Sequence, residues 1–184
     1  MALLTANNVA IERGGRRLLS GLRLSVESGD IWQLVGANGV GKTSLLRALA
    51  GVAKLGVSGQ IERDQPRLYL GYAHALKKNL SALDNLRCHP ACDIHASDEA
   101  IFSALASLHL AGYEERPVGS LSAGQQRRVA LTRLLLSQAP LWLLDEPFTA
   151  LDVSGCDWLD AQIRSHVSAG GAVVYTSHQS SRFG

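Results

Sequence analysis

Gly36-Ala37-Asn38-Gly39-Val40-Gly41-Lys42-Thr43 fits the pattern G-x-x-x-x-G-K-[ST], and its two flanks decide the fold. Before it, Ile31 to Val35 is an apolar run that reads as a buried strand. After it, Ser44-Leu45-Leu46-Arg47-Ala48-Leu49-Ala50 is rich in helix formers, and Gly51 is placed to cap its end. Strand, glycine loop and helix in that order point to the α/β core of a phosphate-loop protein. Gly36, Gly39 and Gly41 let the backbone curl until its N–H groups face one centre, and the helix N-terminus adds partial positive charge there. Lys42 would reach the β and γ phosphates of a nucleotide, and Thr43 would offer its hydroxyl to Mg²⁺. Ala37, Asn38, Val40 and Ser44 complete the cradle. An ordinary glycine turn ahead of a helix requires neither Lys-Thr nor both flanking elements.

The 184 residues can build one substantial core with a small inserted lobe. A formal net charge of +2 is too small to imply a nucleic-acid partner. No apolar run has the length of a membrane span; Pro140-Leu141-Trp142-Leu143-Leu144 stops at once in Asp145-Glu146. Met1-Ala2-Leu3-Leu4-Thr5 lacks the basic start and long apolar stretch of a signal peptide. Three cysteines, an odd number, fit a reducing compartment better than a disulfide framework. A cytosolic chain is expected, one still able to dock on a membrane protein.

Residues 3–12 and 17–27 alternate like strands around Gly14-Gly15, which predicts an antiparallel pair. Further strands are expected near Ser58–Arg63, at Arg67–Tyr72, at Leu141–Leu144 in the core and at Ala172–Thr176. Between about 74 and 138 the pattern is helical: Ser81–Leu86, Ser97–Leu108 and Ser122–Ser137 all begin on a capping-type serine. Asp152–Val167 is a further helix. The expected fold is α/β: a phosphate-loop NTPase core (RecA-like, mainly parallel sheet) with an antiparallel β subdomain and an inserted helical subdomain. The chain is one domain, its core at about 1–72 and 139–184 and its helical part at about 73–138.

Two more stretches carry chemistry. Leu141-Trp142-Leu143-Leu144-Asp145-Glu146 delivers two carboxylates to the C-terminal edge of a strand, the edge at which the phosphate loop also lies. Asp145 would share Mg²⁺ with Thr43, and Glu146 would act as general base toward the attacking water. Leu121-Ser122-Ala123-Gly124-Gln125 opens the helical run Gln126–Leu134. Taken alone, this stretch is a capped helix start; as the signature of the family named below it would form an anion site from Ser122, the Gly124 N–H and the helix N-terminus.

With these stretches in order, the chain resembles the nucleotide-binding subunits of ATP-binding-cassette transporters, over essentially its whole length. Leu121–Gln125 matches their LSGGQ signature with Ala123 at the first glycine, Ala150-Leu151-Asp152 matches the D-loop, and His178 in Thr176-Ser177-His178 matches the switch histidine. The resemblance implies a head-to-tail pair of copies that sandwiches two ATP with Mg²⁺. In that pair Ser122, Gly124, Gln125 and Asp152 act on nucleotide bound by the other copy, while His178 fixes the attacking water. Within the family, Asn79–Leu86, Leu121–Leu134 and Trp142–Asp152 resemble the ATP-binding subunits of the haem exporters of cytochrome c maturation. The short stretch from Lys42 to Ser122 points the same way. That resemblance implies a peripheral subunit on the cytoplasmic face of a bacterial inner membrane, with integral membrane subunits and haem-handling proteins as partners. Another small exporter of this family is the alternative, and a soluble cassette ATPase a more distant one.

Two positions depart from the wider family. Arg13 stands where an aromatic residue usually stacks on adenine, and its guanidinium plane is expected to stack instead. The usual glutamine after the strand near 70 is missing: Ala73 takes its place and His74 is the nearest polar side chain. His74 either substitutes for it, which would make the link titrate near neutral pH, or is a solvent-facing histidine. Cys88, His89, Cys92 and His95 lie within eight residues but match neither the zinc C-x₂-C spacing nor haem attachment through C-x-x-C-H. A loop with incidental Cys and His is expected there, and Cys156 is expected to pack on its helix.

Overall fold

The chain begins with two long strands, β1 (Ala2–Arg13) and β2 (Arg16–Glu27), in a computed structural model that describes residues 2–72, 74–90, 92 and 96–177. They pair antiparallel, from Ala2 opposite Glu27 to Arg13 opposite Arg16. Gly14 and Gly15 both take positive φ, 57° and 74°, the conformation of a turn whose twist matches a hairpin. β3 (Ile31–Leu34), α1 (Lys42–Ala50), β4 (Val57–Glu62) and β5 (Arg67–Leu70) follow. β4 adds to the other edge of β1, giving a three-stranded sheet in the order β2-β1-β4.

The second sheet holds β3, β5, β6 (Leu141–Leu144) and β7 (Ala172–Thr176) in the order β3-β7-β6-β5. β7 lies parallel to both β3 and β6. Every residue of β6 and β7 is buried, as unbroken apolar runs at the centre of a parallel sheet should be. β3 corrects the expectation of a buried strand. It lies at the sheet edge and is only half-buried, with Trp32 42 % and Val35 69 % exposed. An apolar run does not reveal whether its strand becomes a centre or an edge.

The described chain forms two units. The first takes in residues up to Tyr69, Ala139–Pro147 and the chain from Ile163. Its core includes Leu4, Val9 and Ile11 of β1, Leu46 and Leu49 of α1, Leu141 and Leu143 of β6, and Val174 of β7. Burying each Leu or Ile contributes about 1.5–3 kcal/mol. The carboxyl end of α1 is finished three times over. Gly51 takes φ 78° and returns its N–H to Ala48, Arg63 donates to the carbonyls of Ala48 and Leu49, and Arg67 donates to that of Ala50. Cations belong at that end of the helix dipole.

The second unit takes in Leu70–Gln138 and Phe148–Gln162. It holds α2 (Ala82–Arg87), α3 (Asp98–Ala106), a 3₁₀ turn at Val118–Ser120 and α4 (Ala123–Leu136); α5 (Val153–Ser168) begins in it. Ser81, Ser97 and Ser122 each accept a bond from the backbone N–H three residues on, so the three expected caps are present. α3 stops short of the expected Leu108, because His109 takes φ 58° and the Leu110 N–H folds back to the Leu105 carbonyl. Leu86, Ile101, Leu105, Leu110, Val118 and Val129 pack this unit's core. Asn85, buried, accepts from the Lys77 N–H and donates to the carbonyls of Lys77, Leu80 and Ser81, which pins the loop before α2.

Candidate nucleotide site

Within the first unit the glycine loop has the backbone its sequence requires. Gly36, Gly39 and Gly41 take φ of 149°, 77° and 110°. A Cβ on Gly41 would also press on the Leu18 side chain at 3.1 Å, so both conformation and space demand glycine. Gly41 is the N-cap of α1 and has no side chain to cap it. The first N–H groups of α1 therefore lack intrahelical acceptors, an arrangement suited to an anion. Lys42 Nζ lies over the loop, 2.6 Å from the Gly36 carbonyl and 3.3 Å from that of Ala37.

Thr43 and Asp145 meet as the sequence predicts: the threonine hydroxyl donates to Asp145 Oδ1 at 3.1 Å. Asp145 is 1 % exposed, and its Oδ2 is buried with no hydrogen-bond partner among the described residues. A carboxylate oxygen without a partner beside a hydroxyl is the hard-oxygen donor pair that Mg²⁺ takes, with waters and phosphate filling its other positions. These residues fit the ion.

Sequence reasoning missed Thr176. Its hydroxyl, fully buried at the end of β7, donates to Asp145 Oδ1 at 2.9 Å and accepts from the Glu146 N–H at 2.7 Å. Glu146 takes φ 50°, a left-handed backbone for a residue with a Cβ. The available signal was a β-branched residue with a hydroxyl in an otherwise apolar core strand. His178, the expected switch histidine, lies outside the described residues. Arg13 sits at the end of β1 and donates through Nη1 to the Leu55 carbonyl at 2.7 Å.

In the second unit, Ser122 starts α4 with a full capping box. Its hydroxyl accepts from the Gln125 N–H at 3.2 Å, and Gln125 Oε1 accepts from the Ser122 N–H at 2.9 Å. Ser122 is exposed and keeps a hydroxyl proton to donate, whereas the Gln125 carbonyl is engaged locally. Gly124 lies against the Ala150 carbonyl, where a Cβ would stand 3.5 Å away. Asp152 accepts from the Gly155 N–H at 2.9 Å and pairs with Arg128 at 2.6 Å. The Gly155 bond, then Arg128, holds its carboxyl below the usual range.

His74 packs against the arginines of α4. Half-buried, it lies with Nδ1 3.0 Å from Arg127 Nη1, and its carbonyl accepts from Arg133 Nη1 at 2.6 Å. Burial, then Arg127 and Arg133, pushes its pKa down to about 4, which corrects the expectation of titration near neutral pH. Ala73 lies outside the described residues. Cys92 belongs to the core of this unit, and burial raises its thiol to about 11. Cys88 is exposed at the end of α2, and His95 lies outside the described residues. Among the described residues no group of three or more His, Cys, Asp or Glu could hold a metal ion. Nor is any described helix long and apolar enough to cross a membrane.

Set beside known proteins, residues 19–149 match a family model described as ABC transporter. The chain is 48 % identical to the cytochrome c biogenesis ATP-binding export protein CcmA of Tatumella citrea, over 96 % of this chain and 89 % of that protein. It is 44 % identical to the protein of that name from Vibrio cholerae, over 96 % and 91 % of the two chains. For Escherichia coli K12 the identity is 41 %, over 97 % and 90 %. Among solved structures, an ABC transporter ATP-binding protein from Pyrococcus furiosus superposes with a TM-score of 0.81 at 23 % identity, over 98 % of this chain and 93 % of that one, a likeness of fold. An inward-facing metal-chelate type ABC transporter gives 0.75 at 27 %, over 97 % and 73 %.

Proposed function

This chain belongs to the ABC transporter family, as an ATP-hydrolysing subunit that works with membrane partners and dimerises, and from that membership we propose that it powers haem export or handling during c-type cytochrome biogenesis. The name shared by its relatives in three bacteria, over nine-tenths or so of their length, supports the assignment. On this reading it sits on the cytoplasmic face of the inner membrane, beside integral subunits and haem-handling proteins.

The observation that carries the catalytic reading is the Thr43–Asp145 contact beside a buried carboxylate oxygen with no partner among the described residues. Gly36 to Ser44 cradle the phosphates of ATP with backbone N–H groups, and Lys42 leaves the loop carbonyls to meet the β and γ phosphates. Thr43 and Asp145 hold Mg²⁺, which when bound neutralises charge on the phosphate oxygens. Glu146 accepts the proton of the attacking water, and His178 orients that water. Arg13 lies against the adenine. Ser122, Gly124 and Gln125 of a second copy close over the γ-phosphate, with Asp152 of that copy at the joint. The helical part, at about 73–138, passes the closure to the membrane subunits.

Glu146→Gln tests this directly. It should abolish turnover while ATP still binds, read as steady-state phosphate release against nucleotide binding. Turnover at the wild-type rate would remove Glu146 from its role. Restoring c-type cytochrome assembly in a bacterium deleted for its own ATP-binding export protein tests the cellular assignment, and failure with a well-expressed chain would refute it.

A further inference from the structure

The backbone ladder between β6 and β7 runs to Leu144 opposite Tyr175, and the next rung is formed by a side chain. Where Glu146 would continue the strand, its N–H turns into the Thr176 hydroxyl at 2.7 Å, and the residue adopts φ 50°. The same hydroxyl spends its proton on Asp145 Oδ1 at 2.9 Å. Oδ1 then accepts two hydroxyls, Thr43 and Thr176, and Oδ2 is left as the oxygen with no described partner. One fully buried hydroxyl thus fixes the backbone of one acid and the orientation of its neighbour.

Valine has the shape of threonine and suits a core strand at least as well, so packing alone does not call for a hydroxyl here. The left-handed backbone of Glu146 needs a surrounding that over-determines it, and the bond its N–H donates to Thr176 supplies one. An Asp carboxylate locked by second partners meets a cation with its free oxygen already placed.

We propose that Thr176 is a positioning residue for ATP hydrolysis, whose hydroxyl sets the Glu146 backbone for the water and the Asp145 carboxylate for the divalent ion. This rests on the roles of Asp145 and Glu146 given above. The test compares Thr176→Val, Thr176→Ser and Thr176→Ala in the full chain, alone and assembled with its membrane partners. Thr176→Val should lower kcat by about 30-fold or more while KM for ATP stays within about threefold. In the Glu146→Gln background, the Mn²⁺ concentration that half-saturates the nucleotide complex, read by electron paramagnetic resonance, should rise about tenfold. Thr176→Ser keeps the hydroxyl and should restore both to within about threefold of wild type. If Thr176→Val fails to fold, Thr176→Ala against Thr176→Ser asks the same question. Equal losses in Ser and in Val or Ala, or a kcat within twofold of wild type without the hydroxyl, would overturn the proposal. Activity that survives Glu146→Gln would instead refute the underlying catalytic reading.

Discussion

Replacing Arg133 by Met should change global stability little and loosen one loop a great deal. Arg133 is 1 % exposed on α4 and donates to the His74 carbonyl at 2.6 Å and the Ala75 carbonyl at 3.1 Å. Burial drives its pKa down to about 10, well below that of a free guanidinium. That fall amounts to about 3 kcal/mol set against the charged form. Two charge-assisted hydrogen bonds return about 1.5–3 kcal/mol each. The balance favours Arg133 by about 0–3 kcal/mol, and a buried Met recovers much of it through apolar burial. Unfolding in urea should therefore shift by less than about 2 kcal/mol. The loop is different, because His74 and Ala75 take φ of 52° and 48° in succession. Each left-handed residue costs about 1–2 kcal/mol, and without Arg133 that strain is released into opening. Amide exchange at His74, Lys77 and Leu80 should then rise by about 30-fold or more. Exchange unchanged within about threefold, or a stability loss beyond about 4 kcal/mol, would refute the reasoning.

Three further outcomes are expected. Burial, reinforced by neighbouring arginines, pushes His74 and His89 down to about 4. The unfolded chain takes up those protons near pH 6.5 and the folded one only near 4, so stability is full above about 6.5 and falls as pH drops through that window. Both rings are partly exposed, so the effect is discounted to about 1 kcal/mol each; urea midpoints should fall from pH 7 to 4.5, and less in His74→Gln/His89→Gln. An identical slope in that double variant would contradict the assignment. Gly59→Ala should cost about 3 kcal/mol, because a Cβ at φ 89° would strike the Asn8 carbonyl of the paired strand. Gly112→Ala, at φ 82° with open space around it, should cost only about 1 kcal/mol by the same urea assay.

Legibility in the sequence follows the range of the interaction. Ser81, Ser97 and Ser122 announce helix starts because their partners lie three residues away, and Gly51 announces a stop for the same local reason. The glycine loop is readable because left-handed backbone at Gly36, Gly39 and Gly41 is a property of the residue itself. β3 is misread because edge position depends on the strand order β3-β7-β6-β5, which no local pattern encodes. Arg127 and Arg133 look like solvent-facing residues of a helix, yet both are buried among groups of a loop more than fifty residues earlier. Thr176 hides in an apolar strand because its hydroxyl matters only once β6 lies alongside.

The central claim is that nucleotide held on the glycine loop of one copy is closed over by Ser122 of another. Sedimentation of Glu146→Gln with Mg²⁺ and ATP measures it most directly. A shift from monomer to dimer that Ser122→Ala abolishes is the predicted result; a monomer throughout, or a dimer indifferent to Ser122, would contradict it.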